Sequence, residues 1–264
     1  MVRGVLNTVP ITVLLLAAVA LTIAAVVGAV WLVRRTVPAT REGFHAEISA
    51  PMLGVVAALF GLLLAFVIIT AYENFLEASA DVNREADSLA SLVRDSTAFP
   101  QPDRERVRAA VQTYVRTVVD EEWELMREGG DSLRASRALD GVFGALQAVE
   151  PTTAAATGFY DDSVRQLSDT LDARRDRLEA SRGGLPFEMT ALILFSSIVI
   201  VGYAVLVGSP NFWFHVLGPA AIAVVVVFSL LVLADLSYPF SGDVAIDPEP
   251  FDTGALARFF APSP

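Results

Sequence analysis

The chain has 264 residues, 54% of them hydrophobic, with 30 acidic residues against 19 basic ones and no cysteine. Its mean hydropathy of +0.53 is more than a soluble domain keeps in solution. The missing cysteines exclude disulfides, thiolate metal centres and cysteine nucleophiles, and a formal charge of −11 argues against nucleic acid, whose phosphates want a concentrated basic face.

Four long apolar runs account for the hydropathy: Pro10–Val33, Pro51–Tyr72, Phe187–Val207 and Phe212–Leu236. Each reaches the roughly 20 residues that a helix rising about 1.5 Å per residue needs to cross a hydrocarbon core of about 30 Å. Only a helix satisfies its own backbone groups there. The predicted fold class is therefore all-α, an integral membrane protein with four transmembrane helices in two hairpins. The first run follows Arg3 and could pass for a secretory signal, but it is too long for one. With Arg34–Arg35 at its exit, it reads as an uncleaved span.

The predicted organisation is a first hairpin over 1–75, a soluble insert over 76–184, a second hairpin over 185–236 and an acidic, proline-rich, irregular tail over 237–264. The insert holds 21 acidic and 14 basic residues, and positions 235–264 hold five acids against Arg258 alone. Four spans put both termini and the insert on one face. Arginines near the span ends number seven on that face (Arg3, Arg84, Arg94, Arg174, Arg175, Arg177, Arg182) and three opposite (Arg34, Arg35, Arg41), which predicts a cytoplasmic insert with both termini on the same side.

The insert reads as a helical bundle. Val82, Ala86, Leu89 and Val93 share a face of a helix continuing out of the second span, ended by Pro100 and Pro102. A second helix from about Asp103 carries Val107, Ala110, Val111, Tyr114 and Val118 on one stripe, and Gly129–Gly130–Asp131 breaks the chain after it. A third is expected over 132–148. A fourth, over 159–182, has Val164, Leu167, Leu171 and Leu178 as its seam, interrupted by Arg174, and extends into the third span. Gly183–Gly184 with Pro186 marks a helix stop at the return to the membrane.

No catalytic constellation stands in the context it would need, so an enzyme is not expected and no catalytic residue is assigned. His215 reads as an interfacial residue in the aromatic belt of Phe212, Trp213 and Phe214, and His45 as a loop residue. Ser196–Ser197 reads as helix packing in preference to a polar lumen. Phe60, Leu63, Phe66 and Val67 fall on a stripe of the second span and are candidates to line a pore in an oligomer, where phenylalanines form a hydrophobic constriction. The run Asp120, Glu121, Glu122 and Glu124 reads as a solvated helix face, because consecutive carboxylates on a helix cannot converge. Asp243, Asp247, Glu249 and Asp252 lie in a proline-punctuated segment that could fold several oxygens around a hard cation such as Ca²⁺, and are the metal candidates.

Several stretches together resemble the bestrophin-like family of prokaryotic and plant membrane proteins. They are Leu64–Ala65–Phe66 with Tyr72, Val82, Glu85–Ala86 and Leu89–Ala90; then Tyr114, Val118 and Glu122–Trp123; then Pro239–Phe240–Ser241–Gly242 and Pro248–Glu249–Pro250–Phe251. The resemblance implies a four-span helical protein with a cytosolic helical domain, similar to bestrophins, which are pentameric anion channels. In those, phenylalanines of the second span line a neck, matched here by Phe60 and Phe66, and an acidic segment after the fourth span binds calcium.

Two functions compete. One is a homo-oligomeric ion channel for anions, with the pore between subunits and span two lining it. The other is a membrane-anchored interaction or sensory module whose insert binds a partner. The spans carry no charge apart from Glu188 and Asp235 near their ends, so any ion path must lie between subunits. The expected partners are the lipid bilayer, further copies of the chain and inorganic ions.

Overall fold

A computed structural model describes residues 2–37, 40 and 46–260, and among these the chain is helical with no strand. The spans are α2 (Ile11–Thr36), the first part of α3 (Ala46–Asp95), α8 (Phe187–Leu206) and α9 (Phe212–Leu236), preceded by a short α1 (Val2–Thr8). All four are long and apolar enough to cross a bilayer, and the chain is a multi-pass membrane protein.

Spans one and four pack through Val26, Val30, Val216 and Ala223, joined by Val205 of span three. Spans two, three and four meet through Phe60, Leu64, Val67 and Ala71 against Ile193, Ile200, Val226 and Leu233. The expected hairpin order holds. Asn7 reaches the carbonyl of Arg127 at 3.2 Å and accepts from the Gly242 N–H at 3.0 Å, which places the amino-terminal helix beside the insert and the tail. At the other end, Arg34 donates to the Ser209 carbonyl at 2.7 Å, so the exit of span one meets the turn between spans three and four.

The second-span helix leaves the bilayer without a break, and Val82, Ala86, Leu89 and Val93 turn into the insert core as their 4-3-4 spacing predicts. After a 3₁₀ turn at Ser96–Ala98 come α4 (Gln101–Thr117), a π-helical turn at Val118–Glu122 and α5 (Trp123–Arg127). Pro102 sits in the first turn of α4, where its missing N–H leaves no bond unmade. Gly129 turns the chain at φ +79, Ser132 caps α6 (Leu133–Gln147), and Thr153 caps α7 (Ala154–Arg182), which starts earlier than the sequence suggests.

Three expectations change. The seam of α7 is not Val164, Leu167, Leu171 and Leu178: Val164 and Leu171 are exposed. The buried line is Ser163, Leu167, Thr170, Ala173, Arg177 and Ser181. Small and polar residues line it because it carries an ion-pair network, described below, and not an apolar zipper. The tail is not loose either. It holds α10 (Glu249–Asp252) and a 3₁₀ turn at Ala257–Phe259, and it buries Phe240, Phe251, Leu256 and Phe259 in the insert core. Finally, α7 does not run on into span three.

The interruption is built from glycine. Gly183 has φ 48 and ψ −173, a region essentially closed to other residues, and Gly184 follows at φ 93. The Gly184 N–H donates to the Ser237 carbonyl at 2.7 Å, which ties the joint to the end of span four. A methyl group at Gly183 would meet that carbonyl oxygen at 2.7 Å. Gly183→Ala is therefore expected to destabilise the fold by about 1–3 kcal/mol, from the backbone strain alone. A melting curve of the detergent-solubilised protein measures this, and Ala180→Gly, in the preceding helix, is the control without the clash.

Candidate functional site

The second-span helix presents an unbroken outward stripe. Met52, Val55, Leu59, Leu62, Phe66 and Ile69 are all more than half exposed and follow 3-4-3-4-3 spacing, one side of a helix. The three pore candidates do not share it. Phe66 is 63% exposed and lies on the stripe, Phe60 is 8% exposed and packs inward against spans three and four, and Leu63 is half-buried between them. Phe60 and Leu63 instead line a shallow groove of about 220 Å³ with Leu59, Phe195, Ser196 and Val199. Six residues are about one and two-thirds turns, so Phe60 and Phe66 point some 120° apart.

Beyond the bilayer the same side of the helix becomes polar. Glu73, Glu77 and Asp87 are exposed there, and Asp81 pairs with Arg84 at 2.7 Å. A cleft of about 550 Å³ lies alongside, at the level of the glycine joint, walled by Asn74, Glu77, Asp81, Asp176 and Glu179 among others.

The stripe is held from below by a buried network. Arg177 of α7 is 0% exposed. Its Nε donates to Glu85 Oε2 at 2.6 Å and its Nη2 to Glu85 Oε1 at 3.2 Å, a two-pronged pairing with the extension of span two. Nη2 also donates to Glu122 Oε2 at 2.9 Å. Arg174 Nη2 donates to Glu122 Oε1 at 2.5 Å and to Ser136 Oγ at 3.1 Å, and Tyr114 donates its hydroxyl to Glu85 Oε1 at 2.5 Å. Two arginines and two glutamates leave no net charge. Trp123 and Phe251 lie against the Arg177 guanidinium at 5.4 and 5.8 Å, and Phe240 meets Trp123 edge-on at 5.7 Å. Span two, the helix leading to span three and the tail after span four are thus tied at one residue.

Glu122 is delivered by the π turn, where the Trp123 N–H reaches back five residues to Val118. The widened turn lets Glu122 and Trp123 both face inward. This corrects the solvated-face reading for Glu122; Glu121, which accepts from Ser132 and pairs with Arg134 at 3.0 Å, stays at the rim. Burial alone would raise the Glu122 carboxyl, but the charges of Arg177 and Arg174 and their hydrogen bonds outweigh it and hold the group below its usual 4.5. Burial, and then the Glu85 carboxylate, push the Tyr114 phenol well above its usual 10.0, so it remains a donor.

The remaining candidates fall elsewhere. His215 is buried and bonded at both ring nitrogens, not exposed in an aromatic belt. His45 lies outside the described residues. Ser197 donates to the Ile193 carbonyl at 2.7 Å within its own helix, which is the packing role expected of it. Asp243, Asp247, Glu249 and Asp252 are spread along the exposed side of the tail. Asp243 Oδ2 accepts from the Ile11 N–H at 2.8 Å, at the start of span one. Among the described residues no three acidic or histidine side chains converge as metal ligands would.

The network implies a direction for pH. A carboxyl whose pKa is lower in the folded state stabilises the fold fully above its unfolded value, and that contribution is lost as pH falls through the folded one. The melting temperature should therefore be insensitive to Glu122 above about pH 5 and decline below pH 4.5, with a shallower decline in Glu122→Gln. Arg177→Met leaves Glu85 buried without a cation and Glu122 with Arg174 alone, and is expected to destabilise by about 3–5 kcal/mol. Pairing it with Glu85→Gln should recover part of the loss, read from the same melts.

A family model for the Bestrophin-like domain matches residues 20–251. Among solved structures, a variant of a bacterial bestrophin homologue from Klebsiella pneumoniae superposes with a TM-score of 0.66 at 12% identity, covering 93% of this chain and 96% of that one. The same homologue solved by zinc phasing gives 0.64 at 12% identity over 92% and 95%, and a further variant gives 0.62 at 15% over 92% and 95%. No curated protein matches the sequence. The match spans all four membrane helices but the start of the first, the whole insert and the tail up to Phe251, and the chain belongs to the Bestrophin-like family.

Proposed function

We propose that the chain assembles into a homo-oligomeric ion channel, a pentamer as the resemblance implies, with the pore on the assembly axis and lined by span two. The observation that carries this reading is the outward stripe of α3. It is apolar through the membrane, spaced for one helix side, left uncovered by the other spans, and continuous with a helix clamped into the insert. Leu59, Leu62 and Phe66 are its bulky members and would form an apolar constriction repeated in each subunit.

The resemblance implies anions; the charges along the stripe favour cations. Below the apolar section come Glu73 and Glu77, and further on Asp87, while Arg84 is engaged with Asp81. Rings of carboxylates at a pore mouth concentrate cations and exclude chloride. The test is flux from liposomes holding the purified protein, with Na⁺, K⁺ and Cl⁻ assayed separately. The expected result is cation flux, several-fold higher in Phe66→Ala, and a shift towards chloride in the Glu73→Gln, Glu77→Gln double variant. Chloride flux untouched by the double variant would overturn the cation assignment alone. No flux of any ion at any pH or calcium level would overturn the channel and favour the membrane-anchored interaction module.

A further inference from the structure

We infer that Arg108 and Arg258 form a binding site for a phosphate group, free or carried by a small molecule, in the pocket between α4 and the tail. The surrounding charge runs against that of the chain as a whole. α4 carries Arg104, Arg106, Arg108 and Arg116 against Asp103 and Glu105 alone, in a protein of formal charge −11. The tail adds its one arginine to this helix.

A single carbonyl brings the tail there. The Phe259 carbonyl, in the 3₁₀ turn at Ala257–Phe259, accepts from Arg116 Nε at 2.9 Å, from Arg116 Nη2 at 2.6 Å and from Gln112 Nε2 at 3.3 Å. Leu256 and Phe259, on either side of Arg258, are both buried in the insert core, so the backbone that carries Arg258 is fixed. Arg258 and Arg108 then line one pocket of about 280 Å³ with Glu105, Ala109, Gln112 and Phe259.

The other three arginines are engaged. Arg104 Nε donates to Gln101 Oε1 at 3.1 Å, Arg106 pairs with Asp103 at 3.3 Å, and Arg116 holds the Phe259 carbonyl. Among the described residues, Arg108 and Arg258 form no ion pair and donate no hydrogen bond. Glu105 does not supply the missing charge: its Oε1 accepts from the Gln101 amide at 2.8 Å, and it pairs with neither guanidinium. Burial, and then the Arg108 charge, push the Arg258 guanidinium below its ordinary value, so the two cations repel across the pocket.

Where the chain brings Arg174 and Arg177 together, it neutralises them with Glu122 and Glu85. Between Arg108 and Arg258 the neutralising group is left to a ligand. Two guanidiniums from separate segments call for an anion with several acceptor oxygens in fixed directions. A phosphate group offers oxygens to both forks at once, which chloride does not. Once bound, it would fasten to α4 the same tail whose Phe251 lies against Arg177.

The test titrates the full chain, in detergent and in buffer free of polyvalent anions, with inorganic phosphate, with glycerol phosphate and with chloride, read by calorimetry and by melting. Saturable phosphate binding is expected, about tenfold or more tighter than chloride, with a melting temperature raised by a few degrees. Arg108→Gln and Arg258→Gln should each weaken it by about tenfold or more, and Arg137→Gln, at an exposed position of α6, should bind as the wild type. Binding of inorganic phosphate alone identifies the free ion as ligand, and binding of glycerol phosphate identifies a group carried on a molecule. No saturable binding of either, chloride binding as tight, or binding unchanged in both pocket variants overturns the site. Without phosphate, each pocket variant should melt at or above the wild type, because it removes one of two unneutralised cations; a loss of several degrees in both would assign the pair to the fold and refute the inference. Neither readout depends on conduction, so failure here leaves the channel reading untouched.

Discussion

Burying an arginine is unfavourable unless its charge is matched and its donors are occupied, and Arg177 meets both conditions with groups drawn from separate parts of the chain. Removing any partner strands another inside a region sealed by Trp123, Phe240 and Phe251. That mutual dependence explains features that look unrelated. The π turn exists where Glu122 must point inward, the α7 seam is polar where leucines would be expected, and an acidic, proline-rich tail folds back instead of trailing away. An apolar core of the same volume could be as stable or more so, but it would not specify that these three segments meet in one register.

The four spans, their order, and the helices and breaks of the insert were legible because apolar periodicity and glycine or proline punctuation are local signals. The network was not, because nothing local distinguishes a buried glutamate from an exposed one. Glu122 sits in a run of acids whose other members are at or near the surface, and Arg177 sits among charges on a helix with few apolar positions. The clue lay in the resemblance. Glu85, Glu122, Trp123 and Phe251, read as scattered motifs along the sequence, meet at one guanidinium, with Tyr114 behind Glu85 and Phe240 behind Trp123. Of the residues read as a span-two stripe, Phe66 lies on the exposed line with Leu59 and Leu62 while Phe60 packs inward, a distinction that residue type does not carry. His215 failed similarly: aromatic neighbours in sequence suggested an interfacial belt, and the deciding partners, Arg34 and the Val205 carbonyl, are remote along the chain or on another helix.

The two ends of the membrane bundle are fastened in different ways. On the insert side, the amino-terminal helix, the glycine joint and the tail are linked by backbone and side-chain bonds: Arg3 donates to the Ser181 carbonyl at 2.9 Å and lies over Tyr238 at 5.0 Å. On the other side, Arg34 gathers the carbonyls of a short turn. Both fasteners are guanidiniums, whose fixed planar fork suits several carbonyls at once, and both let a membrane helix end where its last carbonyls or the adjoining turn need donors.

The 50-residue helix that begins at Ala46 spans about 75 Å with no break between bilayer and insert. The other chain crossing between these compartments, from α7 to α8, is cut by two glycines and a proline. A stiff crossing beside a jointed one behaves as a mast beside a hinged stay. When the insert tilts, the continuous helix carries the angle into span two, while the glycine joint lets span three take a different one. Displacement of the insert is thereby steered towards the helix whose outer stripe remains uncovered.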